Sequence, residues 1–423
     1  MTFHVGSEIG KLRQVIVHRP GLELSRLTPA NVESLLFDDI LWAKRAREEH
    51  DAFAQALRDR GVQVHYFADL LATVLDNKEA RSWVLDQVFT DDTVGPTLVE
   101  PLRQLAEQVE GARLAELLIG GVLKSELAPL VRPNSLRWEL LSADEFILTP
   151  LPNHLFQRDN SAWIYGGVSI NPMAMPARLR ESVHSAAIYR FHPMFVDGNF
   201  QIWYGGDDKP HQPATLEGGD MHVLGNGAVM IGLGERSTAM GVENLARTLF
   251  ANGAANKVIA IELPHSHAMM HLDTVMTMID RDTFVMYPYL KGALRSWTVR
   301  AATDPDDPDG LEVVPNDDLF ATIAETIGVD KVTVLRTDED IRAAEREQWD
   351  DGNNFLAVEP GVIVGYERNV TTNTYLRRQG IEVITIAGGE LGAEAAAAHA
   401  AGSVRSNATP FRRRTNAVQP AQP

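Results

Sequence analysis

Two aspartates, Asp159 and Asp273, begin two stretches of the sequence that share one pattern. Each is followed by a short apolar segment, a turn and a second apolar segment, which predicts a β-hairpin. A planar guanidinium, with its five N–H donors, is the cation that two carboxylates at one centre bind best. The pattern therefore favours a site for such a cation, whereas an isolated aspartate more commonly serves in a turn or at the start of a strand.

A glutamate and a histidine accompany these carboxylates. Glu217 lies just ahead of a further hairpin that Asp220 begins, and His271 lies two residues before Asp273. A spacing of two predicts that His271 and Asp273 share one face of a strand. Because histidine titrates near neutral pH and a carboxylate stabilises its charged form, Glu217 and His271 form a candidate proton-transfer pair. The alternative is that the histidine is a structural hydrogen-bonding group.

Three arginines follow the same hairpins. Arg178, Arg236 and Arg368 lie in the segments MPARLRES, GLGERS and GYERN. Any of them that points inward would bind the carboxylate of an amino-acid substrate. The alternative for each is a solvated position on the surface.

The elements that must position these side chains form a repeat. Asp159, Asp220, Asp273 and Asn353 each begin a predicted hairpin, and successive starts are 61, 53 and 80 residues apart. Helical patterns such as that of residues 240–252 lie between the hairpins. Repeats at such periods are typical of propeller-like arrays, in which equivalent strand starts face a common axis. The polar residues at these starts are therefore predicted to converge on one central site.

The N-terminal region mixes strands and helices and leads into a purely helical part. Residues 12–18 predict a strand, 41–60 an amphipathic helix and 62–67 a second strand. From about 69 to 140 the pattern is helical, interrupted by glycine and proline. We predict three parts: an α/β domain from residues 1–68 and 145–412, a helical domain inserted at 69–144, and a frayed tail at 413–423.

Composition and charge restrict the class of protein. Hydrophobic residues make up 44% and charged residues 23% of the 423 residues, values typical of globular proteins. The formal net charge of −18 repels phosphate backbones and anionic membranes, so we expect neither nucleic acid nor a membrane as partner. The first twelve residues carry Glu8 and Lys11 and lack the apolar core of a signal peptide. No run of 18 apolar residues occurs, and we expect a cytoplasmic protein.

Motifs spread over nearly the whole chain resemble the bacterial arginine deiminase family. They lie at residues 11–42, 150–182, 216–237 (LEGGDMHVLGNGAVMIGLGERS), 270–278 (MHLDTVMTM) and 365–373 (GYERNVTTN). The resemblance implies a five-bladed α/β propeller of the guanidine-modifying superfamily, built from ββαβ repeats, with an inserted helical bundle. The family reaction hydrolyses arginine to citrulline and ammonia. The family forms dimers or dimers of dimers, so the resemblance implies a homodimer or homotetramer.

The motif match also implies a role for individual residues. Asp159 and Asp273 would bind the guanidinium, and Glu217 and His271 would move protons. Three residues would hold the α-carboxylate of a small guanidino substrate, with Phe156 beside them: Asn153, Arg178 and Arg236.

The sequence departs from the family at the catalytic nucleophile. The family's nucleophile is a cysteine four residues before a proline near the C-terminus, and that position here is Ser406 in a chain without any cysteine. The family's glycine-rich loop is replaced by GAEAAAAHAAG at residues 392–402, a strong helix-forming sequence. An arginine of that loop that binds carboxylate in the family corresponds to Ala401. A third departure is Asn160, where the family commonly has a small residue or proline.

The missing thiol changes the expected chemistry. A nearby cation readily ionises a thiol, whereas an alcohol needs a general base at the moment of attack, and a guanidinium is a poor electrophile. We therefore expect ordinary hydrolysis to citrulline to be absent or very weak. The interpretation that we favour is an enzyme that uses Glu217 and His271 for acid–base chemistry on an arginine-like substrate. Two alternatives remain: a catalytically inactive binding or regulatory protein, and a deiminase in which Ser406 or water is the nucleophile.

A metal centre is a further alternative. The segment HSHAMMHLD contains His265, His267, His271 and Asp273, which could be read as ligands of zinc, iron or manganese. A metal-bound hydroxide could in principle replace the thiolate. The family motif already accounts for His271 and Asp273, and surface positions account for the other two histidines. We therefore predict no metal and no organic cofactor.

Overall fold

The computed structural model describes residues 3–207, 209–304 and 310–391, together with the backbone of 402–405. The fold is mixed α/β, and most of its strands belong to five sheets that share one arrangement. Ser406, Ala401 and the tail at 413–423, to which the sequence analysis assigned roles, lie outside the described residues.

Four sheets begin with the hairpins that the sequence predicts, and each hairpin is antiparallel. A helix then leads to a third strand, which runs parallel to the second strand of the hairpin.

We name each sheet after the polar residue ahead of its first strand. The Asp159 sheet contains Ser161–Ile164, Gly167–Ile170 and Gln201–Gly205. The Asp220 sheet contains Met221–Gly225, Ala228–Leu233 and Lys257–Glu262, and Ser296–Ala301 and Leu311–Pro315 extend it. The Asp273 sheet contains Met276–Asp280, Thr283–Met286 and Thr333–Leu335, and the Asn353 sheet contains Leu356–Glu359, Val362–Tyr366 and Glu382–Ile386.

The fifth sheet joins the two ends of the chain. Leu12–Val17 lies in its centre, parallel to Gln63–Tyr66 and antiparallel to Gly402–Arg405. The crossover helices of the five sheets are Ala43–Asp59, Leu179–Phe191, Ala239–Ala251, Leu319–Ile327 and Val370–Arg378. The predicted helix at 41–60 and the predicted strands at 12–18 and 62–67 are thus confirmed to within two residues.

The region predicted to be helical contains the helices Phe67–Leu75, Lys78–Val88, Asp91–Val94, Val99–Glu107, Gly111–Gly120, Lys124–Leu127 and Leu136–Leu140. Two short antiparallel strands, Val122–Leu123 and Phe146–Leu148, close this region. Its apolar residues, such as Leu71 and Leu118, form one continuous core with Ile164 and Val168 of the Asp159 sheet. None of the helices within the described part of the chain has the length and apolar character to cross a bilayer.

Asp159, Asp220 and Asp273 lie on single helical turns, which differs from the prediction that His271 and Asp273 share a strand face. His271 precedes the turn Leu272–Val275, and the strand begins only at Met276, so the two side chains do not share a strand face. Asp159 likewise lies in Gln157–Asn160, and Asp220 lies in Gly218–Asp220. A helical turn directs neighbouring side chains about 100° apart, so these residues point towards different partners.

The remaining elements are single turns and short helices. The helices Leu22–Ser25, Pro193–Val196 and Ile341–Trp349 belong to this group. The 3₁₀ turns are Glu33–Leu35, Pro152–Leu155, Pro176–Arg178 and His267–Met269.

Candidate active site

A cavity of about 350 Å³ lies where the polar turns meet. Six of the residues in its wall bear on the sequence predictions: Asn153, Phe156, Asp159, Arg178, Arg236 and His271. Glu217 and Asp273 are fully buried beside it and are not part of the wall. The structure thus brings the predicted residues from three hairpins into one place, as expected for repeats around a common site.

Glu217 and His271 form a buried ion pair. Nε2 of His271 lies 2.8 Å from Oε2 of Glu217, and the backbone N–H of Ala174 donates to Oε1 at 3.1 Å. Although burial disfavours its charged form, the carboxylates of Asp159, Glu217 and Asp220 raise the pKa of His271 to about 9. Burial also opposes the charge of Glu217, but His271 and the nearby arginines lower the pKa of its carboxyl. The histidine is therefore an imidazolium at neutral pH and has a proton that it can donate.

Arg178 links three carboxylates. It donates to both oxygens of Glu181 at 3.0 Å and to Asp159 at 2.9 Å, and Glu217 lies 3.7 Å away. Burial opposes its charge, yet these carboxylates together raise the pKa of Arg178 above its usual value. Glu181 follows Arg178 by three residues at the start of Leu179–Phe191, so one helical turn forms the bidentate contact. Arg178 therefore organises the site in addition to facing the cavity.

Asp159 is fixed from two sides. One oxygen accepts from Arg178, and the other accepts from the backbone N–H of Gly219 at 3.1 Å and lies 4.0 Å from Nε2 of His271. The N–H contact requires the two turns to approach closely, and Gly218 permits this approach. A Cβ on Gly218 would lie 1.9 Å from the carbonyl oxygen of Arg158. Glycine is therefore necessary in this turn.

Asp273 is buried beside the cavity, near a second buried arginine. Nε of Arg158 lies 3.9 Å from its carboxylate, and the same guanidinium lies 3.1 Å from Glu8. Burial raises the pKa of Asp273 well above its usual value, although His271 and Arg158 oppose that effect. The sequence analysis paired Asp273 with Asp159 as a clamp for the substrate. The structure buries it close to Asp159 and His271, and its direct contact with substrate stays a prediction.

The residues predicted to hold the α-carboxylate lie on the cavity wall with different partners. Nδ2 of Asn153 donates to the carbonyl of Leu35 at 2.7 Å. Nη1 of Arg236 lies 3.6 Å from Glu217, and its buried Nε has no hydrogen-bond partner among the described residues. The ring of Phe156 stacks on Phe37 at 6.2 Å between centroids. Arg236 is thus the wall residue with the most unused donor capacity.

Arg368 does not reach the cavity. Its guanidinium forms an ion pair of 3.0 Å with Asp350, and its side chain is 40% exposed. The alternative that it occupies a solvated surface position therefore holds for Arg368, in contrast to Arg178 and Arg236.

The described residues offer one group that could bind a metal. Ligand atoms of Asp159, Glu217 and His271 lie within 4.8 Å of one another. The guanidinium of Arg178 occupies the space beside two of these ligands and would repel a divalent cation. His265 and His267 do not belong to this group; His267 bonds instead to Asp38 at 2.8 Å.

Two further carboxyl groups lie near the site: Asp220, which the sequence analysis named only as the start of a hairpin, and Asp351, which it missed. Asp220 accepts from Oγ of Ser237 at 2.6 Å and from the N–H of Leu272 at 3.0 Å, and burial raises its pKa to about 7. Asp351 lines the cavity from the turn before the Asn353 sheet, and burial together with Asp350 raises its pKa to about 7. The repeat offered a signal for Asp351, because its turn precedes the fourth predicted hairpin.

Comparisons with known proteins bear on the family and the fold. A family model described as Arginine deiminase matches residues 33–404 of the chain. The amidinotransferase SxtG from Microseira wollei superimposes with a TM-score of 0.52 at 14% identity, covering 97% of this chain and 99% of that one. The inosamine-phosphate amidinotransferase of Streptomyces griseus gives a TM-score of 0.50 at 14% identity and covers 96% and 98%. AgrE in complex with L-arginine gives 0.52 at 13% identity, covering 95% of this chain and 41% of that one. At these identities the likeness to the solved structures shows the fold alone.

Proposed function

The chain belongs to the arginine deiminase family, and on that premise we propose that it binds a guanidino compound, arginine or a derivative, and acts on it without a thiol. Glu217 and His271 supply the acid–base chemistry, and Asp159 receives the guanidinium. The observation that carries this proposal is the buried Glu217–His271 ion pair of 2.8 Å, which places a charged imidazolium on the wall of the cavity.

The chemistry follows from the charge of His271. In the proposed step a nucleophile adds to the guanidino carbon, and one carbon–nitrogen bond then breaks with its electron pair moving to nitrogen. The charged ring of His271 donates its proton to that departing nitrogen, and Glu217 stabilises the ring in both protonation states. With water as nucleophile the products are a ureido compound and ammonia, and with an amine the amidino group is transferred to that amine. Either version balances when a base accepts the proton that the nucleophile loses, and neither needs a covalent enzyme intermediate.

A purely binding function would need the carboxylates but not the proton-donating pair. Burying an ionised histidine and glutamate together costs several kcal/mol of desolvation, which good geometry only partly repays. The presence of this pair therefore favours an enzyme over an inactive binding protein. The experiment below distinguishes the two.

The test measures binding and turnover of the same ligands. Purified protein is incubated with arginine, agmatine and guanidinoacetate, binding is followed by calorimetry, and products are followed by mass spectrometry. We expect binding and slow conversion by the natural chain, and conversion at least a hundredfold slower in His271→Asn with binding within a few-fold, because a general acid contributes about 10²–10⁴ in rate. His265→Asn is the matched control, since this exposed histidine lies on the same segment and outside the site.

Three outcomes separate the alternatives. Binding without conversion would support the binding or regulatory protein. Loss of conversion in Ser406→Ala would identify Ser406 as the nucleophile. Conversion that persists in this variant would identify water or an added amine as the nucleophile. Failure of every guanidino compound to bind would overturn the proposal.

We further propose the arrangement that the family resemblance implied. The five sheets of ββαβ strands would form a five-bladed propeller composed of residues 1–68 and 145–412, with residues 69–144 as an inserted helical domain. We also propose a cytoplasmic homodimer or homotetramer. The repeated ββαβ order and the convergence of the polar turns on one cavity support the propeller, and sedimentation of the purified protein tests the oligomer.

A further inference from the structure

A buried arginine that the proposed chemistry does not use lies next to the candidate site. Arg158 directly precedes Asp159 in the turn Gln157–Asn160, and only 7% of it is exposed. Its guanidinium lies 3.1 Å from Glu8 and 3.9 Å from Asp273, two carboxylates from distant parts of the chain. Burying a guanidinium is costly unless carboxylates and hydrogen-bond acceptors compensate its charge. These two carboxylates compensate the charge of Arg158, and each of them is acted on by that charge in return.

Hydrogen bonds hold the guanidinium of Arg158 in one orientation. Its Nε donates to the carbonyl of Gly218 at 3.0 Å, and its Nη2 donates to the carbonyl of Met221. These carbonyls flank the turn Gly218–Asp220, so the arginine joins its own turn to the turn ahead of the next hairpin. A planar guanidinium whose donors are engaged on two sides has little freedom to rotate. The charge is therefore held at a defined distance from Asp273.

Glu8 contacts the same guanidinium from the N-terminal segment. Its Oε2 lies 3.1 Å from Nη2 of Arg158, and its Oε1 accepts from the backbone N–H of Val223 at 3.0 Å. The backbone N–H of Glu8 in turn donates to the carbonyl of Val223 at 2.8 Å. The carboxylate of Glu8 is thus fixed beside Arg158. Its negative charge offsets part of the effect that Arg158 exerts on Asp273.

Asp273 needs a nearby cation in order to be ionised. Burial raises the pKa of Asp273 well above its usual value, and Asp159 and Asp220 add to that effect. His271 and Arg158 act in the opposite direction and lower the pKa. His271 gives up its proton in the proposed reaction, whereas an arginine side chain stays protonated in proteins. Arg158 is therefore the permanent cation among these neighbours.

We propose that Arg158 is a positioning residue that keeps the carboxylate of Asp273 ionised for a substrate guanidinium, and that Glu8 limits this effect by offsetting the charge of Arg158. The inference rests on the proposed function and on the predicted contact between Asp273 and the substrate. The alternative is a structural role in which Arg158 only ties the two turns together. The two roles differ in sign. Loss of the charge of Arg158 and loss of the charge of Glu8 should change the ionisation of Asp273 in opposite directions, whereas loss of either partner of a structural contact should have the same effect.

The test follows the ionisation of Asp273 without any ligand. Protein with isotopically labelled aspartate carboxyl carbons is titrated by NMR, and the signal of Asp273 is assigned by its loss in Asp273→Asn. We expect the midpoint of this titration to lie about one to three pH units higher in Arg158→Gln, because a close opposite charge is lost. In Glu8→Gln the midpoint should lie lower than in the natural chain, and the glutamine can still accept from the N–H of Val223. Arg158→Lys keeps the charge, so it should restore most of the natural midpoint even though lysine forms fewer hydrogen bonds to the turns.

The affinity for L-arginine, measured by calorimetry over the same pH range, gives the functional readout. Below the midpoint of the natural chain, each pH unit of upward displacement should weaken binding about tenfold, because only the ionised carboxylate binds the cation. Arg158→Gln should therefore bind L-arginine roughly ten- to a thousandfold more weakly, and Glu8→Gln should bind it more tightly. Glu126→Gln is the matched control. Glu126 also accepts from a backbone N–H and pairs with Arg26 at 2.7 Å, but it lies in the helical region, so neither midpoint nor affinity should change.

The outcomes are distinct. Midpoints displaced in opposite directions by Arg158→Gln and Glu8→Gln would support the inference. Displacement in the same direction by both variants, or an unchanged midpoint in Arg158→Gln, would assign a structural role and overturn it. A displaced midpoint without a matching change in L-arginine affinity would overturn the link to the substrate. If no guanidino compound binds the natural chain, the proposed function fails, whereas the titration without ligand still decides whether Arg158 controls the charge of Asp273.

Discussion

The charge of His271 depends on Glu217, and removing that carboxylate gives the sharpest test of the site. In Glu217→Gln the contact of 2.8 Å to Nε2 loses its negative charge while the shape of the side chain is kept. Asp159 at 4.0 Å and Asp220 still act on the ring. A close opposite charge typically shifts a pKa by about one to three units. We therefore expect the pKa of His271 to fall from about 9 towards 7.

Removing the carboxylate of Glu217 also changes how the free energy of unfolding depends on pH. The pKa of His271 is raised on folding, from about 6.5 to about 9, so its stabilising effect is complete below pH 6.5 and is lost as pH rises through 9. The difference corresponds to about 3 kcal/mol at low pH. In Glu217→Gln most of this pH dependence should disappear, because a fall of the pKa towards 7 removes about 2 of the 2.5 units, and the free energy of unfolding should vary less between pH 6 and pH 9.5.

The assay is NMR titration of the histidine rings, with His271 assigned by loss of its signal in His271→Asn, together with urea unfolding at the two pH values. Glu181→Gln is the matched control, because it removes an equally buried carboxylate that contacts Arg178 but does not act on His271. Our reasoning is refuted if His271 of the natural chain titrates at or below 6.5, or if its pKa stays near 9 in Glu217→Gln.

Two further perturbations test the surroundings of the site. Burial lowers the pKa of His184 to about 3 and that of its hydrogen-bonded neighbour His154 well below the usual value, so both are neutral when folded. Each neutral histidine should therefore lower the free energy of unfolding by about 1.4 kcal/mol per pH unit as pH falls below 6.5. Urea unfolding between pH 7 and pH 5 measures this loss. A free energy of unfolding that does not change over this range would contradict the prediction. Gly218→Ala places a Cβ 1.9 Å from the carbonyl of Arg158, so it should lower stability by roughly 1–3 kcal/mol and abolish arginine binding by displacing the N–H that holds Asp159. Gly166→Ala, which has open space around its Cβ, should change neither thermal unfolding nor binding.

Local patterns in the sequence predicted much of the fold. Alternating apolar residues and turn residues predict the four hairpins, because a hairpin is decided by neighbours within about fifteen residues. Helical spacing predicts Ala43–Asp59 for the same reason. The prediction failed where tertiary packing overrides local pattern: the residues ahead of the strands form helical turns, which direct His271 and Asp273 to different partners.

The candidate site was predictable as a set of residues but not as a set of contacts. The motif positions identified Asp159, Glu217 and His271, and the structure brings all three within 4.8 Å of one another. The contact between Arg158 and Glu8 joins residues 150 positions apart, and no periodicity in the chain encodes it. Asp351 also escaped prediction, because the repeat drew attention to Asn353, two residues further along the same turn.

The state of His271 limits how a chain without a thiol can act on a guanidinium. In a thiol enzyme a nearby charged imidazole stabilises the thiolate, so the cation and the nucleophile support each other. Here the imidazolium is stabilised by buried carboxylates instead, and its proton is available to a departing nitrogen. It cannot at the same time accept the proton of a water, an amine or Ser406. A base is therefore still required, and a carboxyl on the cavity wall with a pKa of about 7, such as Asp351, is matched to that task at neutral pH.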